Sequence, residues 1–313
     1  MGLRSEQLNV ETTSYYHLIS RCVRRAFLCG KDPYSGQDFE YRREWIEERL
    51  FELAQIFGVE LHAYAVMSNH LHVVLRVDKE RVEKWSDAEV VRRYGKLFRG
   101  KPRELEGLST RERKTRVGAW RERLWNLSWF MRCLNESIAR RANAEDECTG
   151  RFWEGRFRCQ PLLDETALLT CMAYVDLNPL RAGLAKSLKT STHTSIAKRI
   201  AQRDSPAGLA PFADQVPPRS RRGTVPMDLA GYVALLTWTA REVRRSSGRP
   251  HDPPDVIREL GLDANGLLET MKAQGLKTAS VLGSPTTIDS FIDSTGKAWV
   301  RGKRLANALH VGE

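Results

Sequence analysis

The sequence predicts an α+β fold of the ferredoxin-like or RRM-like type, an antiparallel sheet with packed helices, followed by a small all-α module. Two observations support this prediction. Segments with alternating apolar residues, typical of half-buried strands, are interleaved with longer segments whose apolar residues recur at helical spacing. Their order along residues 12–190 is strand, helix, two strands, helix, strand, helix, whereas the C-terminal segment shows helical spacing only.

Each predicted element has a local signal. In chain order we expect a loose arm at 1–11, a strand at 15–23, a helix at 39–57, strands at 60–67 and 70–77, a helix ending near 98, a basic loop at 99–116, a long helix at 124–142, a strand at 151–162 and a helix from 165 to 177 or 178. Gly58 is expected to end the first helix, Asp164 to cap the last one, and Pro179 to end it.

Composition shifts predict three regions. Residues 1–190 form the first domain, with a helical and basic insertion at about 79–120. Residues 191–225, rich in Ser, Thr, Pro and Arg, are expected to be a linker. Residues 226–313 are predicted to form a helical module whose first helix is capped by Asp228. This module could bind duplex or hairpin DNA, or equally be a packing extension.

The overall composition limits the functional classes. A net charge of +11, from 50 Lys and Arg against 39 Asp and Glu, suits a polyanionic partner. Eight tryptophans offer surfaces on which bases could stack. The six cysteines lack a Cys-x-x-Cys pair, which predicts reduced thiols and a cytoplasmic protein. No apolar run approaches the roughly 18 residues of a membrane span, so we expect no membrane association.

His70 and His72 are the first candidate functional residues. They flank Leu71 in a β-rich apolar run, and side chains two positions apart in a strand point to the same face. Two neighbouring imidazoles on a rigid strand can form half of a metal site. The alternative interpretation is a pair of surface or hydrogen-bonded histidines.

Tyr174 and Asn178 are the second pair of candidates. They lie four positions apart near the end of the last predicted helix of the first domain, so their side chains are neighbours. A phenol nucleophile and an amide oxygen would then leave one helix side by side. The alternative interpretation is a buried tyrosine and an asparagine that caps the helix before Pro179.

These segments together resemble the single-tyrosine HUH transposases, in particular the REP-associated tyrosine transposase branch. The similarity lies in residues 65–72 (AVMSNHLH), residues 174–184 (YVDLNPLRAGL), residues 16–21 (YHLISR) followed by Phe27, and residues 150–158 (GRFWEGRFR). The four motifs follow one another in the order expected for the family and cover about residues 12–190.

The resemblance implies metal-dependent nicking of single-stranded DNA and strand transfer through a 5′-phosphotyrosine, on hairpin or palindromic repeat DNA. It implies that Tyr174 is the nucleophile and that His70, His72 and Asn178 bind the metal. The metal would be Mg²⁺ or Mn²⁺, and two imidazole ligands favour Mn²⁺. The protein would need no organic cofactor and would be a monomer or a homodimer. The histidines would lie on a central strand with the tyrosine helix packed against the sheet.

Other polar residues near the motifs are candidates for DNA contacts, although they could simply be solvated. They are Arg21, Arg24, Arg25, Asn69, Arg151, Arg156, Arg158 and Arg181. Two further functions remain open from the sequence. One is a nucleic-acid-binding protein of the same fold that has lost its chemistry. The other is a metal-dependent phosphodiesterase that uses water, with Tyr174 in a structural role.

Overall fold

The computed structural model describes residues 12–23, 28–32, 36–98, 100–202, 206–245, 250–272 and 275–310. The predictions made for residues 1–11 and for Arg24, Arg25 and Phe27 lie outside these ranges. None of the helices within these ranges combines the length and the apolarity that a membrane span requires.

Four strands form one antiparallel sheet: β1 (Tyr15–Arg21), β2 (Val59–Val66), β3 (His70–Val77) and β4 (Arg158–Leu162). Their spatial order is β2-β3-β1-β4. A helix connects β1 to β2 and helices connect β3 to β4, so the chain follows the βαββαβ path of a ferredoxin-like unit. The predicted fold class is confirmed, and β3 is an inner strand.

The helices surround this sheet and continue through the C-terminal part. They are α1 (Arg42–Ile56), α2 (Lys79–Glu83), α3 (Asp87–Leu97), α4 (Thr110–Trp125), α5 (Leu127–Glu145), α6 (Glu165–Asp176), α7 (Asn178–Arg181), α8 (Ser195–Ala201), α9 (Leu229–Arg244), α10 (Asp255–Glu259), α11 (Ala264–Lys272), α12 (Gly275–Thr278), α13 (Pro285–Thr295) and α14 (Lys303–Leu309). Short 3₁₀ turns lie at Lys101–Leu105, Ala213–Gln215 and Pro218–Ser220.

One face of the sheet packs against α1, α4 and α5. The β3 side chains Leu71, Val73 and Leu75 point into this core, as their alternation with the histidines predicts. The buried stripe of α5 includes Leu134 and Ile138, at the helical spacing seen in the sequence. This layer buries the β3 side chains that alternate with the histidines.

The opposite face of the sheet is covered by α6 and carries the histidines. Ala63 and Ala65 of β2 and Val74 of β3 share a core with α6. Asp164 caps α6, accepting a hydrogen bond from the Ala167 N–H at 2.8 Å, as predicted. Small side chains on β2 let the helix approach the sheet closely.

Two local predictions were wrong. Residues 110–116 are not a basic loop, since they form the first turns of α4. Ser109 and Glu112 cap this helix reciprocally, a signal that the density of charged residues obscured. The strand predicted at 151–162 is confined to Arg158–Leu162. Before it, Trp153 makes only an isolated bridge to Cys22, because the chain bends at 154–156.

The C-terminal part packs directly onto the histidine face. Tyr232 and Leu236 of α9 belong to the same core as Leu168 of α6. Leu282 bridges to Leu162 at the end of β4. Within the segment predicted as a linker, α8 packs on β2, where Ser195 Oγ accepts the Tyr64 N–H at 3.1 Å. The domain boundaries drawn from composition stay predictions.

Candidate functional site

His70 and His72 lie side by side on the face of β3 that α6 covers. Their ring centroids are 4.8 Å apart and the ring planes meet at 78°. His72 is buried, whereas His70 is half-buried at the start of the strand. Asn69, in the turn before β3, is exposed, and its Oδ1 lies 2.6 Å from His70 Nδ1. The hairpin therefore fixes the orientation of His70 from the turn and that of His72 from the sheet.

Both ring nitrogens of His72 have close side-chain partners. Its Nε2 lies 2.9 Å from Asn178 Nδ2, and its Nδ1 lies 2.9 Å from His17 Nε2. Asn178 begins α7, directly after the helix that carries Tyr174. The structure thus brings Asn178 to His72 across 106 positions of sequence. Its position one turn after Tyr174 is what places it at the sheet.

His17 is a residue of this site that the sequence did not single out. It lies on β1 opposite Val74 and Gln160, and its ring stacks on His72 with centroids 5.1 Å apart. Burial lowers the pKa of His17 to about 4, although its hydrogen bond to Gln160 opposes this effect. Alternation within β1 predicts only which face of the sheet His17 occupies. Its contact with His72 depends on the register of β1 against β3, which the sequence does not show.

Tyr174 lies on α6 with its ring beside the histidines. The ring centroid is 5.9 Å from that of His72 and 6.4 Å from that of His17. The residue is 1% exposed, and its hydroxyl makes no well-aligned hydrogen bond among the described residues, although Arg181 is close enough to lower the pKa of the phenol. The guanidinium of Arg181 lies 4.7 Å from the ring centroid. A buried hydroxyl without a partner is uncommon in folded proteins.

The electrostatic surroundings of Tyr174 act in opposite directions. Burial raises the pKa of its phenol, while the positive charges of Arg181 and Arg158 lower it; the net shift is upward. The phenol is therefore neutral at physiological pH in this conformation, and the two guanidinium groups favour its ionised form.

The remaining candidates for DNA contacts surround the site at different depths. Arg21 is exposed, opposite His70 in the β1–β3 register, with an ion pair to Glu154 at 3.5 Å. Arg158 is half-buried and donates a hydrogen bond to the Ala279 carbonyl. Arg151 and Arg156 are exposed in the segment before β4. Arg24 and Arg25 lie outside the described ranges.

Two imidazoles and an amide form a donor set whose chemistry is compatible with a divalent cation. Each histidine has one ring nitrogen oriented by a protein group, Asn69 for His70 and His17 for His72, as in many metal sites. Asn178 now turns its amide nitrogen to His72, and rotation of the amide would present Oδ1 instead. In the ranges given above, no group of three or more His, Cys, Asp or Glu side chains is arranged to hold a metal. The set therefore depends on the amide.

His62 has a different environment from the other sheet histidines. It lies at the register shift of β2, buried, with its ring edge-on to Tyr15 at 5.2 Å between centroids. Its Nδ1 is 3.1 Å from the Glu60 carbonyl oxygen. Burial lowers the pKa of His62 to about 3. These neighbours give it a structural role in the sheet.

No protein-family model and no curated protein matches the chain. Among solved structures, the chain is similar to one described as "Structure of the REP associates tyrosine transposase bound to a REP hairpin". The identity is 12%, the match covers 66% of this chain and 89% of that chain, and the TM-score is 0.37. A likeness this distant does not bear on function.

Proposed function

We propose that this protein nicks single-stranded DNA next to a hairpin and transfers the strand through a 5′-phosphotyrosine on Tyr174. The observation that supports the proposal best is a convergence of side chains. His72, Asn178 and Tyr174 come from β3, α7 and α6, yet His72 lies 2.9 Å from Asn178 and its ring lies 5.9 Å from that of Tyr174. These are the residue types that the motif resemblance assigns to the chemistry.

His70, His72 and Asn178 would hold a divalent cation, with Mn²⁺ favoured over Mg²⁺ by the imidazoles. When bound, such a cation neutralises charge on the non-bridging oxygens of a phosphodiester. Protein side chains would supply the other interactions with the phosphate and the phenolate. Arg158 and Arg181, whose positive charges both lower the pKa of the phenol, would attract a phosphate and stabilise the phenolate.

The covalent step exchanges one oxygen on phosphorus for another. The bond from Tyr174 Oη to phosphorus forms as the bond from phosphorus to the 3′ oxygen breaks. The phenol proton passes to water, and the departing 3′ oxygen takes up a proton to become the free hydroxyl. The phosphotyrosine keeps the energy of the broken bond, so a 3′-OH can later reseal the strand without ATP.

The burial of Tyr174 sets a condition on this mechanism. A phosphodiester reaches the hydroxyl only after α6 and α7 move away from the sheet, or after Arg181 swings off the ring. The conformation described here is then a closed state. The same burial favours a second candidate function, in which Tyr174 is structural. The protein would then be a water-using phosphodiesterase or a binder without chemistry.

The proposal is tested with an end-labelled hairpin oligonucleotide bearing single-stranded flanks, incubated with Mn²⁺. We expect a protein–DNA adduct that survives detergent and denaturing electrophoresis. Tyr174→Phe should abolish the adduct and the cleavage while DNA binding persists. Tyr15→Phe is the matched control, since Tyr15 lies on the same sheet beside His62, and it should form the adduct normally.

The other outcomes identify the alternatives. Cleavage that continues in Tyr174→Phe, without an adduct in the parent, indicates a phosphodiesterase that uses water. Binding without cleavage by the parent in either Mn²⁺ or Mg²⁺ indicates a nucleic-acid-binding protein. Either result contradicts the proposed strand transfer.

A further inference from the structure

A continuous line of buried hydrogen bonds runs from His72 to the backbone of the C-terminal part. His72 Nδ1 is 2.9 Å from His17 Nε2, and His17 Nδ1 is 3.0 Å from Gln160 Oε1. Gln160 Nε2 in turn donates to the carbonyls of Leu276 at 3.2 Å and Ala279 at 2.8 Å. The three side chains come from β3, β1 and β4, and all are buried. The line crosses three adjacent strands of the sheet.

The positions of the protons follow from the carbonyl end. The Leu276 and Ala279 carbonyls only accept, so the Gln160 amide nitrogen faces them and Oε1 faces His17. Because Oε1 also only accepts, the proton of His17 lies on Nδ1. His17 Nε2 then accepts, because a proton on it would move the His72 proton to Nε2, where it would face the Nδ2 donor of Asn178. The proton of His72 must therefore lie on Nδ1, which turns the lone pair of its Nε2 toward Asn178.

We propose that His17 and Gln160 are positioning residues that fix His72 as the Nδ1–H tautomer, anchored by the backbone at 276–279. This inference rests on the proposed function, because it takes His72 Nε2 to be a metal ligand. Which imidazole nitrogen can bind a metal is set by the hydrogen bond made by the other nitrogen. A proton on Nε2 would block coordination at the position where Asn178 now lies.

The same segment of the C-terminal part holds a second side chain of β4. The chain near Ala279 also accepts a hydrogen bond from Arg158, so one short segment holds both Gln160 and an arginine beside Tyr174. Displacing this segment would release Gln160 and, through His17, the orientation of His72. The geometry thus links residues 276–279 to the histidine pair without direct contact.

The test measures the tautomer of His72 in the metal-free protein by long-range proton–nitrogen NMR of the imidazole rings. In the parent we expect a protonated Nδ1 and an unprotonated Nε2. His17→Phe removes the acceptor for Nδ1–H and should give a mixture of tautomers. Gln160→Met removes the acceptor for His17 and should act in the same direction. In this variant the Ala279 carbonyl still accepts a hydrogen bond from Arg158, so the segment keeps one of its contacts with β4. Gln160→Met therefore provides the second test if His17→Phe does not fold.

Mn²⁺ affinity, measured by electron paramagnetic resonance, gives the second readout. We expect both variants to bind Mn²⁺ about 10- to 100-fold more weakly, the usual loss when an outer partner of a ligating histidine is removed. His62→Phe is the matched control, a buried histidine of the same sheet with other neighbours. It should leave the His72 tautomer and the Mn²⁺ affinity unchanged.

Two results overturn the inference: an unprotonated Nδ1 on His72 in the parent, or a His72 tautomer that both variants leave unchanged. The proposed function fails separately, by the absence of a phosphotyrosine adduct in the parent. If the parent shows the expected tautomer and no adduct, the positioning role stands and the nuclease proposal falls.

Discussion

Asn178 holds the position that decides how the histidine pair can be used. Its amide nitrogen lies 2.9 Å from His72 Nε2, so the amide occupies the lone pair that would bind a cation. An asparagine can reverse this by rotating its amide, since the oxygen and nitrogen ends have similar size. Under the proposed function, this rotation would let the same residue either donate to His72 or present its oxygen to a cation.

Substitution of Asn178 separates these roles. Under the proposed function Asn178 is a direct ligand, so Asn178→Ala should weaken Mn²⁺ binding at least about tenfold, the loss expected even for an outer partner of a ligand. Asn178→Asp should bind Mn²⁺ at least as tightly as the parent, since a carboxylate is a preferred ligand of hard cations. Titration with Mn²⁺ under electron paramagnetic resonance measures both.

Asn135→Ala provides the comparison for a lost asparagine elsewhere. Asn135 lies on α5 and donates to Ser20 at 2.8 Å. Its replacement should leave Mn²⁺ affinity as in the parent. Undiminished Mn²⁺ binding by Asn178→Ala would exclude Asn178 from the metal ligands.

How far the sequence predicts this site depends on how local each signal is. The shared face of His70 and His72 follows from alternation within one strand, and the spacing of Tyr174 and Asn178 by one helical turn can be read from the sequence. His17 and Gln160 could not be predicted in this way. Their contacts depend on the register of β1 against β3 and β4, which is set by long-range packing.

Among the elements, α1 is joined to β2 and α8 by a single carboxylate. Glu47 accepts hydrogen bonds from Tyr64 at 2.9 Å, Lys198 at 2.6 Å and His193 at 2.8 Å. Burial alone would raise the pKa of Glu47, but these partners hold it at about 2, against an ordinary value of 4.5. The chain following α7 is thus fixed to the first helix.

The pH dependence of this contact has a definite sign. A carboxyl group with a depressed pKa stabilises the fold above its unfolded pKa and loses that contribution as the pH falls. Glu47→Gln should therefore lower the melting temperature near pH 7, and the difference from the parent should shrink between about pH 4.5 and 2. Thermal melts across this range measure the effect.

Glu52→Gln on the same helix serves as the control. Within the described part of the chain, Glu52 pairs with Arg49 at 2.6 Å, and its side chain is about half exposed. Such surface pairs contribute about 0–1 kcal/mol, so this variant should follow the parent closely at every pH. A constant offset for Glu47→Gln from pH 7 to 2.5 would show that the carboxylate charge does not matter.

The helices also show where local prediction fails. The stripe of α4, formed by Val117, Trp120 and Leu124, has ordinary helical spacing, but it lies among charged residues that suggest a solvated loop. Stacking of Trp120 on Tyr94, with centroids 4.6 Å apart, fixes the helix against its neighbour. The deciding contact is between elements, and composition could not reveal it.

In the molecule as a whole, the histidine face of the sheet and the C-terminal helices share one core. Leu168 of α6 and Leu236 of α9 are fully buried in it. Composition predicts a division at 191–225, whereas a shared core predicts that the two parts unfold together. The distinction matters for the site, because the backbone at 276–279 anchors Gln160.

Two truncations decide between these behaviours. Leu168→Ala and Leu236→Ala should each cost about 2–5 kcal/mol, the range for buried leucines. If the core is shared, each should lower the same single unfolding transition in calorimetry and in urea. Leu184→Ala, at a position 51% exposed, is the control and should change stability by less than about 0.5 kcal/mol.

Two transitions, of which Leu236→Ala lowers one and Leu168→Ala the other, would mean that the C-terminal helices form a separate domain. Residues 276–279 would then be a docked partner of the site, whereas a single transition makes them part of its scaffold.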